Sequence, residues 1–86
     1  MADPVVYLLR CADGTLYCGW TLALEGRLAV HRAGRGSKYV ASRLPVDVAA
    51  VLPMTDRSAA MREEARIKRL TKAEKERLVE ALASRR

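Results

Sequence analysis

A chain of 86 residues has room for one domain, expected to span residues 1–86, because single cores usually organise about 100 to 150 residues. Half of the residues are apolar, yet Phe is absent, which fits thin helices on a small sheet and leaves no stretch near the roughly 18 apolar residues of a membrane span. The formal net charge of +6 makes a polyanion the natural partner, since lysines and arginines gain by displacing the cations condensed around phosphates.

In chain order, Val5 to Cys11 reads as a buried strand, Ala12-Asp13-Gly14 as a turn, and Thr15 to Thr21 as a returning strand rich in Tyr, Trp, Thr and Cys. Leu24 to Ala33 carries Leu24 and Leu28 four apart and suits a short helix stopped by Gly34. A flexible basic loop is expected next. Pro45 then opens an apolar stretch, Val46 to Leu52, that reads as a strand bounded by Pro45 and Pro53. Asp56 or Ser58 is positioned to cap a helix running to Leu70. Thr71-Lys72-Ala73-Glu74 matches a capping box at the head of a last helix, whose apolar stripe is expected to bury Leu78, Ala81 and Leu82, with Arg85 and Arg86 fraying. Cys11 and Cys18 read as reduced core thiols, because they form no CxxC pair and one His completes no usual zinc set with them. The cytoplasm is the default address.

The loop length of the hairpin decides which side chains meet, because strand side chains alternate and a one-residue slip moves each to the other face. A two-residue Asp13-Gly14 turn would place Tyr7 and Tyr17 on different faces. A three-residue loop, with Gly14 as the left-handed residue of a bulge, pairs Cys11 with Thr15 and Leu9 with Tyr17. The second register is expected; it sets Tyr7, Tyr17 and Gly19 on one face, where the glycine leaves space for a ligand.

Charge is concentrated in HRAGRGSKYVASR, from His31 to Arg43, where Arg32, Arg35, Lys38 and Arg43 occur without an acid. Together with Tyr39 these residues are the expected nucleic-acid contacts. In the following helix, Ala60, Glu64 and Ile67 share a face, so the Glu64 carboxylate points from an apolar stripe towards the sheet, while adjacent Glu63 is expected in solvent. The ordinary alternative for Glu64 is an ion pair with Lys68 four residues on. Arg62, Arg66, Arg69, Lys72, Lys75 and Arg77 are expected to form a solvated face balanced by Glu63, Glu74, Glu76 and Glu80, the alternative being a second track for phosphates. GRGSK fails the full spacing of a nucleotide-binding phosphate loop.

The order Val5-Val6-Tyr7, Tyr17-Cys18-Gly19, Arg27, His31 and Glu64 resembles the GIY-YIG nuclease superfamily across nearly the whole chain. LYCGWT, GRGSKYVASR and REEARIKRLTKAEKERL look especially like its small stand-alone bacterial branch, the YhbQ-like proteins. The resemblance implies an α/β fold of the α+β kind, a small three-stranded antiparallel sheet flanked by helices. It also implies an active site containing Tyr7, Tyr17, Arg27, His31 and Glu64, with Glu64 as the ligand of one divalent ion, Mg2+ or Mn2+. Three departures stand out: Val5 replaces the first motif's glycine, Trp20 stands where some repair nucleases of the superfamily carry a lysine, and the chain contains no Asn to match one found downstream in larger members.

The function so implied is metal-dependent endonuclease cleavage of DNA phosphodiesters at branched or damaged structures, with RNA an alternative substrate. Tyr17 is the expected general base, although a free phenol with a pKa of roughly 10 needs nearby positive charge to ionise. Arg27 is expected to clamp phosphate with its fork of donors, and Tyr7 to orient water or phosphate. His31 either relays a proton or bonds a phosphate. A noncatalytic nucleic-acid-binding module is the competing reading, followed by a protein-interaction adaptor.

Overall fold

The computed structural model describes residues 3–84 as a three-stranded antiparallel sheet with helices on both faces. In chain order the elements are β1 (Val5–Arg10), β2 (Leu16–Thr21), α1 (Leu24–Arg32), α2 (Lys38–Ala41), β3 (Asp47–Pro53), α3 (Arg57–Lys68) and α4 (Lys72–Ala83). The sheet order is β2-β1-β3, so β1 is central and β2 keeps an open edge. Alternation along β1 divides the interior. Val6 and Leu8 join Leu16, Cys18, Ala50, Ala60 and Ile67 beneath α3 and α4. Tyr7 and Leu9 face the other way, into a cluster with Cys11, Leu28, Val40 and Val46 beneath α1 and α2. Both cysteines are free and buried, one in each cluster.

The hairpin adopts the three-residue loop. Leu9 pairs with Tyr17 and Tyr7 with Gly19, the Cys11 N–H donates to the Thr15 carbonyl at 2.8 Å, and Gly14 has a φ of +86° that a side chain would disfavour. Asp13 locks the turn by accepting from the Thr15 N–H at 3.0 Å and from its hydroxyl at 2.6 Å. Asp56 is the residue that caps α3, accepting from the Ala59 N–H at 2.8 Å, and the Thr71–Glu74 capping box closes in both directions.

Two expectations are corrected, and one falls outside view. The basic loop is not wholly irregular, because Ser37 caps the four-residue α2 and Val40 anchors it with no exposed surface; so short a helix carries no periodic signal. On α4 the half-buried apolar residues are Leu78, Val79 and Leu82, whereas Ala81 is exposed; the helix is rolled so that the larger Val79 covers the core. Arg85 and Arg86 lie outside the described residues.

Candidate active site

The open edge of β2 is where side chains from the two faces of the sheet can meet. Tyr7 and Tyr17 rise from the α1 face, α3 comes across from the other face, and Gly19 between them has no side chain to block the gap. The result is a cleft of about 520 Å³ to which Tyr7, Tyr17, Gly19, Arg27, Arg57 and Glu64 contribute, with Trp20 to Ala23 completing its wall. Thr21, whose hydroxyl accepts from the Ala23 N–H at 3.1 Å, turns the chain from β2 into α1 at that wall.

Tyr7 is almost fully buried, and its hydroxyl lies 2.9 Å from His31 Nε2. Burial, seconded by the Tyr17 phenol, pushes the Tyr7 pKa up to about 12. His31 is itself 1% exposed; burial first, and the Arg27 charge second, hold its pKa below the ordinary value. Both rings are therefore neutral near pH 7. The His31 Nδ1 is buried without a hydrogen-bond partner, pressed against Gly36, where an added Cβ would lie 2.6 Å away. An unpaired lone pair there costs less than an unpaired N–H. The favoured tautomer thus carries its proton on Nε2 and donates to the Tyr7 oxygen, leaving the Tyr7 O–H to donate elsewhere.

Tyr17 is half-buried and braced by aromatic neighbours. His31 meets it edge-on at a centroid separation of 5.4 Å, Tyr39 stacks at 6.0 Å, and the Lys68 ammonium lies 5.9 Å from its ring centre. Glu64 accepts an ion pair from Lys68 at 3.7 Å. Its side chain is 22% exposed and that of Glu63 is 23%, so the expected contrast in exposure is corrected. Direction separates them: Glu64 lines the cleft, while Glu63 is held by the Arg66 guanidinium at 2.7 Å, which keeps the Glu63 carboxyl below its usual range.

Tyr7, Tyr17, Arg27 and Glu64 thus come together, and His31 stands behind Tyr7 rather than in the cleft wall. The basic segment is less unified. Arg32 faces a separate depression with Leu44 to Asp47, and Arg35 and Lys38 are exposed. The Arg43 guanidinium is engaged internally, 3.7 Å above the Tyr39 ring, 3.0 Å from the Asp13 carboxylate and 3.0 Å from the Tyr39 carbonyl. That engagement ties α2 to the hairpin turn. Arg57 was missed by sequence reasoning. Its signal was present, because Arg57, Ala60, Glu64 and Ile67 form one stripe along α3.

Comparison with known proteins agrees with this geometry. The family model described as the GIY-YIG catalytic domain matches residues 3–77. A UPF0213 protein of Natronomonas pharaonis is 50% identical over 78 residues, covering 91% of this chain and 92% of its own. Another, from Oceanobacillus iheyensis, is 48% identical over 75 residues, covering 87% of each chain. The solution NMR structure of a UPF0213 protein from Bacillus halodurans superposes with a TM-score of 0.62 at 35% identity, covering 92% of this chain and 84% of that one. With the sheet, the paired tyrosines and the cleft all in place, the chain belongs to the GIY-YIG family, and within it to the UPF0213 proteins.

Proposed function

We propose that this protein is a divalent-metal-dependent endonuclease that hydrolyses phosphodiester bonds in DNA, with branched or damaged structures as the substrates to test first. The observation that carries the reading is the gathering of Tyr7, Tyr17, Arg27 and Glu64 around one open cleft from β1, β2, α1 and α3. The donor set fits a hard ion. Glu64 offers one partly exposed carboxylate already balanced against the Lys68 ammonium, and no three His, Cys, Asp or Glu side chains are grouped to form a cage among the described residues. Mg2+ and Mn2+ suit such a site, since they keep several waters and bind partly through substrate phosphates. When bound, the ion would withdraw charge from the phosphate oxygens as a Lewis acid.

The chain's own groups divide the remaining work. Arg27 from α1 and Arg57 from α3, both lining the cleft, clamp the phosphate and offset charge developing on its oxygens. Tyr17, acting as its phenolate, accepts the proton of the attacking water at its phenolic oxygen and becomes the phenol, beside the positive charges of Arg27 and Lys68. Tyr7 remains protonated and serves as a donor that orients water or phosphate, held by His31 from behind. His31 is then a positioning residue for Tyr7.

Incubating the protein with duplex, single-stranded and branched DNA in the presence of Mg2+ or Mn2+ tests the proposal. Cleavage is expected, with Tyr17→Phe and Glu64→Gln each lowering it by about 100-fold or more. Undiminished cleavage in both variants would remove the cleft from the chemistry. Salt-dependent binding without cleavage would make the chain a noncatalytic binding module.

A further inference from the structure

Tyr17 belongs to two depressions. On one side it closes the cleft; on the other it opens a groove of about 230 Å³ lined by Leu16, Tyr17, Cys18, Tyr39, Lys68 and Lys75. A second section of about 140 Å³ continues past Thr15, Leu16 and Tyr39 to Lys72 and Lys75. The two sections follow β2, the open-edged outer strand, from the cleft towards the hairpin turn.

No acid lines either section, and three of the four acids expected to balance the basic face, Glu63, Glu74 and Glu76, are engaged elsewhere. Glu63 is bound to Arg66. Glu74 accepts from the Thr71 N–H at 2.9 Å in the capping box. Glu76, though within the field of Lys72, is forked with Arg10, one of its two contacts being 2.7 Å. Lys68 shares its charge with Glu64, whereas Lys72 and Lys75 enter no ion pair among the described residues. The balanced, solvated face expected from the sequence therefore does not extend to these two lysines. Beside them, Tyr39 keeps 38% of its surface exposed and is held in place by Arg43 and Tyr17. Lysines spaced along a narrow channel with an aromatic wall, two of them outside any ion pair among the described residues, match the chemistry of one nucleic-acid strand, phosphates on the ammonium groups and bases beside the exposed part of the ring.

We infer that the β2-edge groove carries a single strand of the substrate out of the cleft, with Lys72 and Lys75 on its phosphates and Tyr39 flanking a base. This inference rests on the nucleic-acid reading of the cleft. It is tested by fluorescence anisotropy of labelled single-stranded DNA in chelator, across a range of salt, using a strand of about 12 nucleotides and a dinucleotide. The comparison is between the wild type, Lys72→Ala/Lys75→Ala, and Arg62→Ala/Arg77→Ala, which removes equal charge from exposed positions outside the groove. Alanine is the best helix former, so both pairs retain their helices, which far-UV circular dichroism verifies. The groove pair is expected to lose about tenfold in affinity for the longer strand and to flatten the slope of log K against log salt by about 1.4, as two lost phosphate contacts require. The control pair keeps its slope, and dinucleotide binding is the same in all three proteins. Equal losses in the two pairs would reduce the effect to net charge and overturn the groove alone, as would wild-type affinity in the groove pair. A wild type that binds no nucleic acid would overturn the groove and the proposed function together.

Discussion

At the scale of single residues, the site depends on how tightly the Tyr7 hydroxyl is held. A Cβ built on Gly19 would lie 2.5 Å from that oxygen and 2.6 Å from the Tyr7 Cζ, and the ring is buried on the central strand with no room to swing away. Gly19→Ala is therefore expected to lower stability by about 1–3 kcal/mol and, by moving the hydroxyl off His31, to reduce cleavage more than the stability loss explains. Thermal melts beside initial rates separate the two effects. Protonation adds a dependence on pH. Because native His31 is held neutral, the unfolded chain takes up a proton that the native chain resists. Stability present above roughly pH 6.5 is lost as pH falls towards the native value, and urea titrations of His31→Gln should show a shallower acid limb. Tyr7 and Cys18 act at the other end. Their pKa values rise from 10.0 and 9.0 to about 12, Cys18 by burial and then by Glu64, so their contribution is complete below pH 9 and is lost as pH climbs through about 12.

At the scale of elements, α3 is the part that couples folding to the site. Its inner stripe places Ala60 and Ile67 in the core with no exposed surface and, by the same rotation, brings Arg57 and Glu64 to the cleft. Glu64→Gln keeps shape and helix propensity, so its melting temperature is expected to match the wild type while cleavage is lost. Asp56→Ala acts oppositely. Removing the cap of α3 is expected to cost about 1 kcal/mol, or roughly 4–8 °C in melting temperature for a domain this small, and the loosened first turn releases Arg57 from its place in the cleft wall. The expected signature is a higher KM with a smaller change in kcat, read from steady-state cleavage of one DNA substrate.

At the scale of the whole molecule, the charge of +6 is not spread evenly, because acids are drawn into specific contacts and leave cationic side chains along one edge of the sheet. Arg10 and Glu76 join β1 to α4 across 66 residues of sequence, Asp13 and Arg43 join the hairpin to the segment before β3, and the first pair draws Glu76 away from Lys72. Nucleic-acid affinity should therefore fall steeply with salt, with a slope that reports the few phosphates contacted rather than the total charge. Salt-independent association with a protein would instead favour the adaptor reading.

The sequence by itself pointed to the hairpin and to the helix starts, leaving Asp56 or Ser58 open as the cap of α3, because those are set by neighbours. A three-residue turn with Gly14 fixes the register, and alternation then leaves Tyr7, Tyr17 and Gly19 no choice of face; Asp56 and Thr71 cap within their own first turns. The pattern of motifs likewise pointed to the family and to Arg27 and Glu64. Only the tertiary structure decided that His31 lies behind Tyr7, that Arg57 reaches the cleft, that Arg43 is held by Asp13, and that Lys72 and Lys75 enter no ion pair among the described residues. Each of those depends on the angle at which a helix crosses the sheet and on partners far away in the chain, and local patterns encode neither.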